Sequence, residues 1–352
     1  MNRVALMLVA LAGFAIPPSL TLASDLPWKH SWAEATTAAK PRDAIIMVDV
    51  YTDWCRWCKV LDAQTFGDSR VQKELGDLVL LKLNAEKGEG IAFNTKHGVR
   101  SYPTVLFLDA AGQEVERLTG FVNAEVFLTR LAEIKSGEGT LLALRAKEKA
   151  APTDGLNLKK LGDKFVGRSE NETARSYYAR ALELDPDNKL GYISEIYLNL
   201  ARMSLAERKN DDARKQLEKV IELGDNSLAL KQAYPALRRL YLVAQDNAAI
   251  SPMHDHVLGV LKDDPAVLND IAWHHASRSE RLDEALKWAT RSVALDPEKA
   301  TSYDTLAEVH HRRGEHDDAI RSIDLALKIS PESAYFSKQK QRFTEAVGRT
   351  NG

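Results

Sequence analysis

Residues 44–59 read AIIMVDVYTDWCRWCK, and the fold of the chain is decided here. The nearly continuous apolar and β-branched run over 44–51 predicts a buried central strand, because strands covered on both faces of a sheet show no polar alternation. A helical pattern follows this run. The stretch therefore predicts a strand that delivers a C-x-x-C pair, Cys55 and Cys58, to the first turn of a helix.

Cys55 and Cys58 are the only cysteines of the 352 residues. A structural disulfide is the weaker interpretation, since so short a loop constrains the unfolded chain little. A structural zinc site needs four ligands, and the first half of the chain adds only His30 and His97, without matching spacing. We therefore expect no metal and no separate cofactor. We interpret the pair as a redox-active dithiol, with Cys55 activated by the N-terminus of a helix.

Composition and charge narrow the class of protein. Apolar residues make up 44% of the chain and charged residues 28%, as in ordinary globular domains. The length predicts about two domains of roughly 150 residues each. A net charge of −2 without any basic run gives no reason to expect a nucleic-acid partner.

The N-terminus predicts a secretory signal peptide over residues 1–24. Its apolar run, 4–16, is shorter than the ~20 residues that a spanning helix needs, and the TLA at 21–23 fits a cleavage site. The alternatives are an uncleaved anchor or a core helix. The short apolar run and the two prolines that follow it disfavour both. We expect an exported, periplasmic protein that begins near Ser24 or Asp25 and has no membrane span.

Strand and helix signals alternate over residues 25–136, which predicts a compact α/β domain. Three further strands are predicted, over 78–83, 104–108 and 114–118. Helices are predicted over 28–40, 59–66, 91–97 and 124–135, with a short helix after Asp68. Ser31 and Asp68 are the expected N-caps of their helices.

Charged residues interrupt two of the predicted buried strands, at Asp49 and Lys82. A carboxylate inside a buried strand is costly unless it is partnered or functional. A solvated strand end is the alternative, which the apolar residues on either side of Asp49 disfavour. Asp49 is therefore a candidate functional residue.

These landmarks together resemble the thioredoxin family over residues 28–136. The matching positions are the buried acid six residues before the first cysteine, the flanking tryptophan and lysine, the strand-end lysine, the cis-proline and the glycine after the last strand: Asp49, Trp54, Lys59, Lys82, Pro103 and Gly120. The Asp53-Trp54-Cys55 lead-in is closer to the exported branch that includes the C-terminal domain of DsbD. The resemblance implies a thioredoxin fold, with a central sheet flanked by helices.

The resemblance also implies roles for individual residues. Cys55 would attack a substrate disulfide, and Cys58 would resolve the mixed disulfide. Asp49 would transfer the proton, with Lys82 as its charge partner. The residues expected to line the substrate groove are Trp54, Trp57, Tyr102 and Pro103.

Two departures from the family pattern leave the direction of electron flow open. Arg56-Trp57 replaces the Gly-Pro of thioredoxin, and Tyr102 replaces the small aliphatic residue before the cis-proline. The dipeptide between the cysteines tunes the thiolate pKa and the reduction potential.

The second half of the chain lacks strand signals and is Ala-rich, with a period near 34 residues. Pro297 and Pro331 are 34 residues apart, as are Ala285 and Ala319. The pattern resembles tetratricopeptide (TPR) repeats, which implies an all-α TPR solenoid that binds a peptide or protein. The expected layout is a helical linker over 137–154, about five helix pairs over 155–334, and a capping helix and tail over 335–352.

The family's groove positions assign six polar residues to partner binding: Asp270, His274, Arg278, Asp304, Glu308 and Arg312. The alternative for each is a solvated helix face. Seven of the nine histidines lie between His254 and His316. We interpret them as exposed helix residues rather than a metal site, because no H-x-x-x-H pair with a carboxylate partner occurs.

We therefore expect an exported thiol–disulfide oxidoreductase that reduces or exchanges disulfides of envelope proteins and docks a protein partner through its repeats. As a reductase it would need a membrane-embedded electron donor. One alternative is a disulfide oxidant or isomerase. The other is a non-catalytic assembly or scaffold protein that uses both folds as binding modules.

Overall fold

The structure is a computed structural model that describes residues 26–350, with side chains up to Gly348. The predicted signal peptide lies outside the described residues. The chain divides between Ala181 and Leu182 into two compact units. No helix among residues 26–350 has the length and apolar character needed to cross a bilayer.

The first unit is built on a four-stranded sheet. Its strands are β1 (Ile46–Tyr51), β2 (Val79–Asn84), β3 (Thr104–Leu108) and β4 (Glu114–Thr119). Their order is β2-β1-β3-β4; β1 runs parallel to β2, and β3 is antiparallel to both of its neighbours. All four predicted strands are confirmed, although β1 begins two residues later than expected.

Five helices surround this sheet: α1 (Trp32–Ala39), α2 (Arg56–Val60), α3 (Ser69–Glu74), α4 (Glu89–Lys96) and α5 (Ala124–Ser136). The two predicted N-caps are confirmed. The Ser31 hydroxyl accepts from the Glu34 N–H at 3.2 Å, and the Asp68 carboxylate accepts from the Arg70 N–H at 2.8 Å. Helix α1 starts later than predicted because Lys29 pairs with β2, donating its N–H to the Leu80 carbonyl at 2.7 Å.

Apolar side chains fill both faces of the sheet. On one face Met47 and Phe107 pack with Phe66 and Phe127 from the helical layer. On the other face Ile46, Val48 and Val50 pack against α1 and the apolar residues of β2. The sandwich of helices around the sheet explains why the central strand has no polar alternation.

Three helices follow in the same unit: α6 (Leu141–Ala150), α7 (Gly155–Gly167) and α8 (Asn171–Leu184), the last of which continues across the division. Helix α6, which we predicted as a linker, buries Leu141 and Leu144. In α7 the lack of a side chain at Gly162 permits close packing, since a Cβ there would lie 2.4 Å from the ring of Tyr178. This contact illustrates how small residues let paired helices approach.

Ion pairs join α7 to the edge strand β4. Lys164 pairs with Glu116, and Arg168 pairs with Glu114, which also binds Arg117 at 2.6 Å. The Glu116 side chain is only 4% exposed. These contacts make α7 part of the sheet-containing unit.

The second unit is entirely helical. Its helices are α9 (Ile193–Ala206), α10 (Asn210–Leu223), α11 (Ser227–Val243), α12 (Ile250–Val260), α13 (Pro265–Ser277), α14 (Leu282–Leu295), α15 (Ala300–Arg312), α16 (His316–Ile329) and α17 (Ala334–Thr350). Alanines without exposed surface line the contacts between neighbouring helices, for example Ala272, Ala285 and Ala319. The predicted fold class, an α/β domain followed by an all-α repeat array, is confirmed.

We expect Lys164→Met to lower the free energy of unfolding by about 3 kcal/mol, because it leaves the buried Glu116 carboxylate without a counter-charge. Urea denaturation of the full chain measures the loss. Adding Glu116→Gln should restore most of the stability, since the buried charge is then removed as well.

The matched control is Lys160→Met on the exposed side of the same helix. It should change the unfolding free energy by less than about 0.5 kcal/mol. Equal effects of the two lysine substitutions would contradict a stabilising role for the pair.

Candidate active site

The two cysteines lie where the chain leaves β1 and enters α2, which continues as a π-helical turn over Leu61–Thr65. They form a disulfide. Cys55 is the N-cap of α2, and its Sγ accepts a hydrogen bond from the Cys58 N–H at 3.0 Å. An amide in this position stabilises negative charge, so it favours a thiolate at Cys55 when the bond is reduced.

Both cysteines are covered, with exposed fractions of 3% for Cys55 and 4% for Cys58. Burial alone does not distinguish the two thiols. The neighbouring indoles are open to solvent, Trp54 by 67% and Trp57 by 57%. The helix-capping contact, rather than exposure, therefore marks Cys55 as the activated sulfur.

The register of the parallel strand pair places Asp49 beside Lys82. Their charged groups are 3.1 Å apart, and the Asp49 side chain is 2% exposed. The Lys82 ammonium also binds Asp62 at 2.5 Å. It lies 5.3 Å from the ring centres of both Trp28 and Tyr51. One lysine thus holds two carboxylates and lies close to two aromatic rings.

Burial raises the pKa of Asp49 to about 6, while Lys82 opposes the rise and Asp62 adds to it. Burial works against the charge of Lys82, but the two carboxylates raise its pKa nonetheless. One oxygen of Asp49, Oδ1, is buried without a hydrogen-bond partner among the described residues. Asp49 therefore has a pKa near neutrality and a free oxygen, which suit a group that exchanges protons.

The sequence did not identify Asp62 as part of this arrangement. It lies in the π-helical turn that follows α2, on a surface where an acidic residue resembles an ordinary solvated side chain. The sequence shows only a carboxylate seven positions after Cys55. Its role becomes clear once the structure places it against Lys82.

Two of the residues predicted to line a substrate groove, Trp54 and Trp57, each directly precede a cysteine in the sequence. Trp54 contacts Tyr102 edge-on, with ring centres 6.1 Å apart, and its indole N–H donates to Glu86 at 3.0 Å. Trp57 packs on Phe121 at 5.5 Å. The Tyr102–Pro103 peptide bond is cis. Each tryptophan next to a cysteine therefore packs on a second aromatic ring.

The six predicted groove residues of the repeats are largely engaged within the chain. Asp270 binds Arg238 of α11 at 2.7 Å. Asp304 is buried and accepts from the Tyr335 hydroxyl at 3.2 Å, and Glu308 is buried between Arg312 and Arg342. His274 is buried too, whereas Arg278 is exposed and Arg312 is 37% exposed. Asp270, Arg278 and Arg312 keep surface that a partner could contact.

The interpretation of the histidines as exposed residues is wrong for His254, His274 and His275. The first and third have no exposed surface, and His274 is 8% exposed. His254 on α12 packs against His274 and His275 on α13. The sequence does not reveal that these three residues lie together. Among residues 26–350, no group of three or more His, Cys, Asp or Glu side chains is arranged to hold a metal ion.

Comparison with known proteins identifies both parts of the chain. Residues 32–135 match the model of a thioredoxin-like domain, and residues 272–334 match that of a tetratricopeptide repeat. The thiol:disulfide interchange protein DsbD of Yersinia enterocolitica is 40% identical over 115 residues, which are 32% of this chain and 19% of that protein. The chain thus spans less than a fifth of the relative's length.

Solved structures with similar folds include the oxidised C-terminal domain of DsbD from Neisseria meningitidis. It is 26% identical, covers 29% of this chain and 90% of that domain, and has a TM-score of 0.26. YrrB, a TPR protein with an unusual peptide-binding site, is 18% identical, covers 56% of this chain and 98% of its own, and has a TM-score of 0.44.

We expect Lys82→Met to raise the pKa of Asp49 above its present value of about 6, because burial would then act without the opposing cation. Carbon-13 NMR titration of the aspartate carboxyl groups in the oxidised protein measures the change. Lys87→Met is the control, since Lys87 is exposed and pairs with Asp53 instead. An Asp49 titration unaffected by the loss of Lys82 would contradict this electrostatic coupling.

Proposed function

We propose that this protein is an exported thiol–disulfide oxidoreductase that reduces disulfides in other proteins through Cys55 and Cys58. The observation that carries the proposal is the buried Asp49–Lys82 pair on β1 and β2, together with a C-x-x-C disulfide at the start of the helix that follows β1. The match of residues 32–135 to a thioredoxin-like domain supports it. A scaffold that uses the fold only for binding has no need of a buried acid whose pKa lies near 6.

The reaction begins with reduced Cys55 and Cys58. The Cys55 thiolate attacks one sulfur of the substrate disulfide, which forms a mixed disulfide and releases the other substrate sulfur as a thiolate. Asp49 takes the proton of the Cys58 thiol, and the resulting thiolate attacks Cys55. The bond between Cys55 and the substrate breaks, and the second substrate sulfur leaves as a thiolate that takes the proton from Asp49, while the first takes a proton from water. The substrate is then a dithiol, and its two electrons have come from the cysteine pair, which ends as the disulfide of the structure.

The aromatic side chains around the disulfide would receive the substrate. Trp54 packs against Tyr102 and Trp57 packs against Phe121, and each tryptophan directly precedes a cysteine. The segment containing Pro103 completes the predicted groove. Apolar residues next to the substrate cysteine would gain most from such contacts.

The repeats would dock a protein partner, as their similarity to TPR helices supports. Among the predicted groove positions, Asp270, Arg278 and Arg312 are the ones with surface to offer. We place the protein in the periplasm. Its cysteine pair would be reduced there by a donor embedded in the membrane, because each turnover leaves the pair oxidised.

We expect the wild-type chain to catalyse reduction of insulin disulfides in the presence of a small-molecule thiol, and Cys55→Ser to abolish this activity. The readout is turbidity from the released insulin B chain. Cys58→Ser should also lose turnover but should accumulate a mixed disulfide at Cys55, detectable by mass spectrometry, because the first step survives.

The opposite pattern, with the adduct on Cys58 in a Cys55→Ser variant, would reverse the assigned roles. No activity in the wild type would favour the scaffold alternative. The direction of electron flow depends on the reduction potential of the pair. A value well above the roughly −270 mV of thioredoxin would favour the oxidant or isomerase alternative.

We expect Asp49→Asn to slow resolution of the mixed disulfide by about 100-fold at pH 7, the lower end of what general acid–base catalysis contributes. The pKa of Asp49 is about 6, so in the wild type the carboxylate is ionised at pH 7 and accepts the proton, and the rate falls as the pH drops through 6. The difference should shrink above the ordinary thiol pKa of about 8.5, where Cys58 ionises unaided.

Rapid-quench kinetics with a disulfide peptide, from pH 5 to pH 9, measures the profile. Asp53→Asn is the matched control, since this carboxylate adjoins the site but is exposed and bound to Lys87. A wild-type profile that is retained in Asp49→Asn would remove Asp49 from the mechanism.

A further inference from the structure

Three buried histidines in the repeats form what we call the histidine cluster: His254 on α12 with His274 and His275 on α13. His254 and His275 have no exposed surface, and His274 is 8% exposed. The ring centres are 5.0 to 5.2 Å apart, and each pair of rings is nearly perpendicular. The thiol chemistry gives this cluster no role.

The hydrogen bonding of the cluster disfavours charge on His254 and His275 at the same time. Nδ1 of His254 and Nε2 of His275 lie 3.1 Å apart, a contact that needs one donor and one acceptor. With both rings charged, two N–H groups would face each other. The outer nitrogens, Nε2 of His254 and Nδ1 of His275, are buried without a hydrogen-bond partner in the described chain. A Glu280 oxygen lies 3.7 Å from His275 Nδ1, beyond a good hydrogen bond.

Charged and titratable groups surround the cluster on every packed element. They are Tyr234 and Arg238 on α11, Asp255 on α12, Asp270 and Arg278 on α13, Glu280 in the following turn, and Arg281 and Glu284 at the start of α14. Most of the acids already bind arginines. Asp270 binds Arg238 at 2.7 Å, and Arg281 binds Asp255 at 2.9 Å and Glu284 at 3.3 Å. Glu280 is the remaining acid near the cluster, and its side chain is 54% exposed.

The surroundings therefore favour neutral imidazoles. Burial, together with the neighbouring histidines and arginines, lowers the pKa of His254 to about 2. The pKa of His274 is lowered to about 4 and that of His275 in the same direction, in both cases mainly by burial. In an unfolded or opened chain a histidine takes up its proton near pH 6.5.

The sign of the resulting pH dependence follows from proton binding. Below about pH 6.5 the opened state binds protons that the closed cluster refuses, so acid shifts the equilibrium towards opening. The stabilisation is fully present above pH 6.5 and is lost progressively as the pH falls towards 4. Each histidine changes the equilibrium constant for opening by at most tenfold per pH unit. Three histidines together change it by up to about 1000-fold per pH unit.

We propose that the histidine cluster is an acid-sensitive latch: proton uptake by His254, His274 and His275 separates α12 from α13 and opens the repeat array at that contact. The device is independent of the cysteine pair. It makes the integrity of the central repeats a function of pH over the range in which free imidazoles titrate.

The test is hydrogen exchange of the full chain followed by mass spectrometry at pH 7.5, 6 and 5, corrected for the intrinsic pH dependence of exchange. Peptides from α12 and α13 should show an opening equilibrium at least tenfold larger at pH 5 than at pH 7.5. Peptides from α9, which contains no histidine, should change far less. Equal pH dependence in both regions would overturn the latch.

The variant His254→Gln/His275→Gln should remove most of the acid sensitivity, because the amides keep hydrogen-bonding capacity without titrating. His256→Gln is the matched control, an exposed histidine on the same helix, and should behave as the wild type. Acid opening that persists unchanged in the double variant would overturn the proposal.

A second measurement covers the case in which the double variant does not fold. In wild-type protein with carbon-13-labelled histidine, the cluster resonances should keep neutral shifts down to the pH at which exchange reports opening. Cluster resonances that titrate near pH 6.5 while α12 and α13 remain protected would overturn the latch.

Discussion

The parallel pairing of β1 with β2 is the constraint on which the candidate active site depends. Because this register sets Asp49 opposite Lys82, a buried acid acquires an adjacent cation. A slip of a single residue would turn each side chain to the other face of the sheet. Asn84 lies at the end of β2. Its side-chain NH₂ donates to the Asp53 carboxylate at 2.9 Å, and its side-chain oxygen accepts from the Glu86 N–H at 2.9 Å. Through Glu86 this network also orients the indole beside the disulfide.

The sequence predicts most of this first unit because its signals are local. A short unbroken apolar run rich in β-branched residues favours a strand that is covered on both faces. A charged residue inside such a run is therefore easy to recognise. Asp62 gives no comparable signal. Its contact with Lys82 spans 20 positions and depends on how the π-helical turn packs over the sheet. The late start of α1 has a similar cause, since the residues before it pair with β2 instead of continuing the helix.

Sequence patterns were less informative about polar residues in the repeats. A histidine or a carboxylate on an Ala-rich helix resembles a solvated residue, whether or not a neighbouring helix covers it. His254 and His275 are buried because two helices meet there, and Glu308 because Arg342 from α17 reaches it. Family groove positions indicate which way a side chain faces. They do not show whether that side chain is already hydrogen-bonded to a neighbouring helix.

The ion pairs between β4 and α7 have a consequence for how such a chain can be recombined. Glu116 and Glu114 take their partners, Lys164 and Arg168, from what the sequence marks as the first repeat. A graft cut after α5 would separate Glu116 from Lys164 and would leave Glu114 with Arg117 but without Arg168. The natural module for a chimera is therefore the thioredoxin-like domain together with α6 and α7, and new repeats are best joined beyond that point.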